Sequence, residues 1–236
     1  MLNPMKALEA VIFDLDGTLV RSRHDYREMS RRVVEIFIDA GVSDSELSQP
    51  RRVWQIIRRG EEGLKDLGLS TNERKRIHER ITEALNAVEL LALDSVELIS
   101  GALDIMQSIR ERGLRIGVAT RAGSSYAEKC LEITGLADYV DAHLARDEVE
   151  HPKPDPRHLL QVVEALGASP QKVIYVGDTT TDLSTAVAAG IVFIGYAGSE
   201  EWVKRMKEAG CDAFVSDLRE VVEIIDGGLD SLKPSK

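Results

Sequence analysis

The stretch Val11-Ile12-Phe13-Asp14-Leu15-Asp16-Gly17-Thr18-Leu19 constrains this chain more than any other, because an apolar, β-branched run ends in two carboxylates one residue apart. Residues 8–13 read as a buried strand, so Asp14 falls where the chain leaves the sheet. In extended backbone Asp14 and Asp16 point to one side while Leu15 faces the other, and both acids address one small volume. Gly17 then permits a sharp turn. Further strand candidates follow at 115–119, 139–144, 172–176, 191–194 and 213–215, with helical patterns such as 125–134 and 156–166 between them. That alternation predicts an α/β fold built on a doubly wound parallel sheet, in which ligands bind outside the carboxyl ends of the strands.

Three later strand ends carry polar chemistry. Thr120 follows the candidate strand 115–119 in the same relative position as Asp14 follows the first. The segment His151-Pro152-Lys153-Pro154-Asp155-Pro156 sets a lysine between prolines, whose fixed φ makes the loop stiff and extended. The fourth strand runs into Gly177-Asp178-Thr179-Thr180-Thr181-Asp182. Each residue has a plainer reading: Asp178 and Asp182 suit the start of the helix after Thr180, and Lys153 alone would pass for a solvated loop lysine. Together the strand ends deliver, in order, two acids, a hydroxyl, an ammonium and two more acids.

This order of motifs, from Val11 to about Ala197, resembles the haloacid dehalogenase superfamily. The resemblance implies a Rossmann-like core with an inserted α-helical cap, and it assigns roles residue by residue. Asp14 is the nucleophile, because a carboxylate can accept a phosphoryl group, and Asp16 protonates the leaving oxygen and then activates water. Thr120 and Lys153 bind phosphoryl oxygens. Mg2+ is the implied cofactor, held by Asp14, the backbone carbonyl of Asp16, and Asp178, with Asp182 orienting a metal-bound water. Dehalogenating members lack the second acid of the first motif, since a halide needs no proton, so Asp16 points to a phosphatase. The chain is similar to phosphoglycolate phosphatases, which implies a small phosphorylated metabolite as substrate. A phosphosugar mutase similar to β-phosphoglucomutase uses the same residues. Outside enzymes, the alternatives are a receiver-like phospho-switch and an inactive binding protein. Many phosphoglycolate phosphatase-like members carry an acid where this chain has Arg21 and an Asn where it has Arg121. These arginines either face the substrate, favouring a doubly anionic one, or lie on the surface.

Between Val20 and about Asp94 the strand-like runs disappear, and Val33, Ile36, Phe37, Ile77, Ile81 and Leu85 recur at helical spacing. The expected division is therefore a core of residues 1–19 and 96–236 and a helical cap of residues 20–95, with hinges near 19–23 and 93–97 and a core helix over 96–112 ended by Gly113. A short leader precedes the first strand at Met1–Met5, and a helix over 218–225 precedes a polar tail. The formal net charge of -10 argues against a nucleic-acid partner, and the pairs Arg51-Arg52 and Arg58-Arg59 read as solvated helix faces. No run reaches membrane-spanning length, and Cys130 and Cys211 are too far apart to read as a metal pair, which suits a cytoplasmic monomer or homodimer. His24 reads as a surface residue or a leaving-group contact, and Trp54 and Trp202 as packing residues, one in each lobe.

Overall fold

A computed structural model describes residues 8–47 and 52–227; the leader at Met1–Met5, Pro50, Arg51 and the tail beyond Gly227 lie outside these. Strand β1 (Ala10–Phe13) leads to a short strand β2 (Val20–Arg21) and then to helices α1 (Tyr26–Asp39), α2 (Asp44–Leu47), α3 (Val53–Asp66) and α4 (Thr71–Leu90). After β3 (Glu97–Leu98) the elements alternate: α5 (Ala102–Glu111), β4 (Arg115–Ala119), α6 (Ser124–Thr134), β5 (Ala142–Leu144), α7 (Pro156–Ala165), β6 (Val173–Gly177) and α8 (Thr180–Ala189). The series ends with β7 (Val192–Tyr196), α9 (Glu200–Glu208), β8 (Phe214–Val215) and α10 (Val221–Gly227).

Six strands form one sheet in the order β5-β4-β1-β6-β7-β8, and every neighbouring pair is parallel. The order reverses at β1, whose Ala10 pairs with Arg115 on one side and Val173 on the other. Alternate residues of the central strands serve different cores. Ala10, Ile12, Val173 and Tyr175 pack with Leu159 and Val162 of α7, whereas Val11, Phe13, Ile174 and Val176 are fully buried outside that cluster. A parallel sheet must be covered on both faces, which is why its strands read as continuous apolar runs rather than as alternating ones.

The chain divides into two compact units, Met1–Ser22 with Ser95–Lys236, and Arg23–Asp94. The second is all helical. Val33 and Phe37 of α1, Ile56 and Leu64 of α3, and Ile81 and Leu85 of α4 form its core. A Cβ at Gly60 would stand 2.3 Å from the Phe37 ring, so the close approach of α3 to α1 requires glycine there. Ser70 and Glu73 start α4 as a reciprocal capping box.

The expected helix over 96–112 is shorter than its pattern. Val20 and Arg21 pair antiparallel with Leu98 and Glu97, the Ile99 amide donates to the Leu19 carbonyl at 2.9 Å, and Gly101 at φ +83° precedes α5. Long-range strand pairing thus overrides local helical spacing, and this two-stranded ribbon belongs to the first unit rather than to the helical one. The segment 139–144 is extended only in its last three residues, and 218–225 is a 3-10 turn, Leu218–Glu220, running into α10. Among the described residues no helix is long and apolar enough to cross a membrane.

Candidate active site

The reversal of strand order at β1 opens a crevice outside the carboxyl ends of the strands. Asp14 enters it directly from β1, and its amide donates to the Val176 carbonyl of β6 at 2.9 Å. The chain then turns back on itself: the Leu19 and Val20 amides both reach the Leu15 carbonyl, at 2.9 and 3.1 Å. Gly17, at φ +93°, lies so close to the next motif that a Cβ there would stand 2.3 Å from Asp178 Oδ2. Glycine is needed here both for the backbone conformation and for the space. Asp178 follows β6, and Thr179 caps α8, with Asp182 completing the box by accepting from the Thr179 amide at 3.0 Å and from the Thr179 hydroxyl. The helix-cap reading of Asp182 is therefore correct, and it coexists with a second task.

That task concerns Lys153. The ammonium is buried and donates to Asp14 Oδ1, Asp182 Oδ1 and the Tyr175 phenol oxygen, each at 2.7 Å. Tyr175 in turn donates to Asp182 Oδ1 at 2.6 Å. All three N–H bonds of Lys153 thus end on protein, so one must be released before it can bond a phosphoryl oxygen. The Lys153 amide donates to His158 Nδ1 at 3.2 Å, which leaves Nε2–H to donate to the Leu144 carbonyl at 3.0 Å. The loop that carries the ammonium is in this way tied through His158 to β5.

One oxygen from each of Asp14, Asp178 and Asp182 lies within 4.8 Å of the other two. One ammonium stands against three carboxylates. An ion pair at 2.7 Å gains on the order of 6 kcal/mol of gross Coulomb attraction at an effective dielectric of about 20, and removing each ion from water costs several kcal/mol, so Lys153 does not compensate all three. Burial, the largest cause, pushes Asp14 up to about 7; the charges of Asp182 and Asp16 add to this and Lys153 opposes it. Asp178 is pushed up to about 8 by burial and by the charges of Asp14 and Asp182. Burial acts on Asp182 in the same sense, but Lys153 and the hydrogen bonds from Thr179 and Tyr175 outweigh it and hold that carboxyl below its ordinary value. Burial likewise opposes the charge on Lys153, yet Asp14 and Asp182 raise its pKa on balance.

A largely buried set of oxygen donors with excess negative charge at strand ends fits a hard divalent cation. Asp14, Asp178 and Asp182 each offer one oxygen to such an ion. Asp182, expected from sequence to orient a metal-bound water, also accepts four hydrogen bonds, from Lys153, Tyr175 and the amide and hydroxyl of Thr179. It anchors the lysine.

The remaining sequence candidates are placed as follows. The Asp16 carboxylate is not part of the three-acid cluster; it accepts from Ser22 Oγ at 2.5 Å and from the Tyr126 phenol at 2.8 Å. Thr120 is buried after β4, and its Oγ1 accepts from the Ala122 amide at 3.1 Å. Arg121 is half-buried next to it, and its carbonyl accepts from Arg146 at 2.7 Å. Arg21 is exposed on β2. His24 is half-buried, with its ring 5.7 Å from that of Tyr26. Trp202 packs against the sheet core, and Arg58 lies over the Trp54 ring. Tyr175, Tyr126, Ser22 and His158 were not among the candidates. The one available signal was a phenol inside an otherwise apolar strand, two residues before Gly177.

The family model for haloacid dehalogenase-like hydrolases matches residues 8–190. Among curated relatives, the phosphorylated carbohydrates phosphatase of Thermotoga maritima is 31% identical over 216 residues, covering 88% of this chain and 94% of that protein. The phosphoglycolate phosphatase of Escherichia coli is 27% identical over 217 residues, covering 82% and 83%. Two solved structures share the fold: a hydrolase from Pseudomonas syringae, with a TM-score of 0.62 at 21% identity over 93% of this chain and 98% of its own, and a CbbY variant from Rhodobacter sphaeroides in complex with xylulose-(1,5)bisphosphate, with 0.60 at 24% over 96% and 99%. With its acids at the carboxyl ends of β1 and β6 and this match over most of its length, the chain belongs to the haloacid dehalogenase-like hydrolases.

Proposed function

We propose that this enzyme is a Mg2+-dependent phosphatase that hydrolyses a monoester of a small phosphorylated metabolite, with a phosphoglycolate-like carboxylated ester as the leading candidate. The observation that carries the reading is the Asp14–Lys153–Asp178 arrangement at the reversal of the sheet, with Asp14 and Lys153 buried and Asp178 half-buried. Asp14 attacks phosphorus, the bond from phosphorus to the ester oxygen breaks, and Asp16 gives that oxygen its proton, so that an alcohol leaves and Asp14 carries the phosphoryl group. Asp16, now ionised, takes a proton from water as the water oxygen attacks phosphorus; the bond to Asp14 breaks and inorganic phosphate is released. Asp14 and Asp178, with the Asp16 backbone carbonyl, would hold Mg2+. Bound there, Mg2+ would offset the charge that resists anionic attack. Lys153 holds Asp14 in place and supplies positive charge beside it, and Thr120 would hydrogen-bond the phosphoryl group. In this reading the inserted Arg23–Asp94 unit corresponds to the α-helical cap of the family. That insertion and the family match argue against a receiver-like switch.

The test is phosphate release from phosphoglycolate and hexose phosphates, with and without Mg2+, by the wild type and Asp14→Asn. Mg2+-dependent release that falls on the order of 10³-fold or more in the variant is expected. Interconversion of hexose phosphates without release would replace hydrolase with mutase, and inactivity toward both would leave a binding role.

A further inference from the structure

The Asp16 carboxylate is met by two hydroxyl groups that the mechanism above does not use. Ser22, just after β2, and Tyr126, in the first turn of α6, both donate to the same oxygen, Oδ1, at 2.5 and 2.8 Å. Tyr126 is 1% exposed, so its ring is fixed by packing and its phenol keeps a defined direction. The terminal torsion of an aspartate is broad and nearly two-fold, so an unpinned carboxylate exchanges its oxygens by rotation. Two donors on one oxygen remove that freedom. The carboxylate is thereby held in one orientation.

We propose that Tyr126, with Ser22, is a positioning residue that fixes the orientation in which the Asp16 carboxyl delivers its proton to the leaving group. The inference rests on the hydrolase reading, in which Asp16 is first acid and then base. In the step concerned, the Asp14 oxygen bonds to phosphorus, the ester oxygen departs with the bonding pair, and the Asp16 carboxyl proton passes to it. A phenylalanine at position 126 would fill nearly the same space without pinning the carboxylate, so the phenolic hydroxyl, not the ring, carries the effect.

The dependence on leaving group separates this from a structural role. An alkyl phosphate needs a proton on its departing oxygen, whereas p-nitrophenyl phosphate releases a stable anion, and kcat/KM reports only the steps through phosphorylation of Asp14. Glycerol phosphate and p-nitrophenyl phosphate are compared in the wild type and Tyr126→Phe, with circular dichroism to establish folding. The expected result is that the alkyl-to-aryl ratio of kcat/KM falls about tenfold or more in the variant. Equal losses on both esters, or no loss on either, overturn the proposal. Should Tyr126→Phe fail to fold, Ser22→Ala gives the same reading, with a smaller fall in the ratio expected and an unchanged ratio decisive against. A wild type inactive on both esters would sink the hydrolase reading and this one with it; an active wild type with an unchanged variant ratio sinks only this one.

Discussion

The lysine that touches Asp14 is held from behind by an imidazole. His158 accepts the Lys153 amide and donates to the Leu144 carbonyl, and only the neutral ring does both. Burial, followed by the nearby charge of Lys153, lowers its pKa to about 4. An unfolded chain protonates this histidine near about 6.5, so between the two values the unfolded state binds more protons. The stability involved is intact above the unfolded value and is lost as pH falls toward 4, on the order of 3 kcal/mol in all. Denaturant unfolding at pH 7 and near pH 4 is expected to show a shallower fall for His158→Gln than for wild type; parallel falls would assign the acid lability to other groups. The positions of Asp14 and Asp178 directly after strands, and of Lys153 in a loop between prolines, were legible in the sequence from short motifs. His158, Tyr175 and Tyr126 were not, because an imidazole or phenol within an apolar pattern reads as packing until its partner is known. For Tyr126 that partner lies 110 residues away.

The turn that follows β1 is the element on which the site depends most directly. Its hydrogen bonds converge on the Leu15 carbonyl, and Gly17 holds a backbone angle that side chains disfavour while leaving room for the Asp178 carboxylate. Gly17→Ala is expected to cost about 1–3 kcal/mol from backbone strain and, because Asp178 must move, to weaken Mg2+ binding about tenfold or more. Titration calorimetry checks the second effect; wild-type affinity in the variant would show that Asp178 shifts without consequence. The strands of the core were legible because parallel strands buried on both faces leave unbroken apolar runs. The ribbon formed by β2 and β3 was hidden, since two-residue strands carry no periodicity and the residues after Ser95 mimic a helix. What fixes them is a pairing between Val20 and Leu98, which local pattern does not contain.

Across the molecule, charge gathers where the strands end. Two carboxylates share one ammonium beside a third, and Asp14 and Asp178 are pushed to about 7 and about 8. At pH 6 both retain protons that Mg2+ must displace, whereas above pH 8 most of that competition is gone. Since a ligand of the native state stabilises in proportion to the logarithm of its occupancy, Mg2+ is expected to raise Tm more at pH 8.5 than at pH 6. Equal shifts at both pH values would mean that the cation binds elsewhere. The strand order has a further bearing on how such a chain comes into being. β1 is the earliest of the six strands in the sequence, yet it is paired along both edges, by β4 and by β6. During synthesis it therefore waits for partners made more than a hundred residues later, with Asp14 still in water. The mutually repelling acids at 14, 178 and 182 meet only once translation has passed residue 182, so a truncated nascent chain never has to carry that cluster of charge.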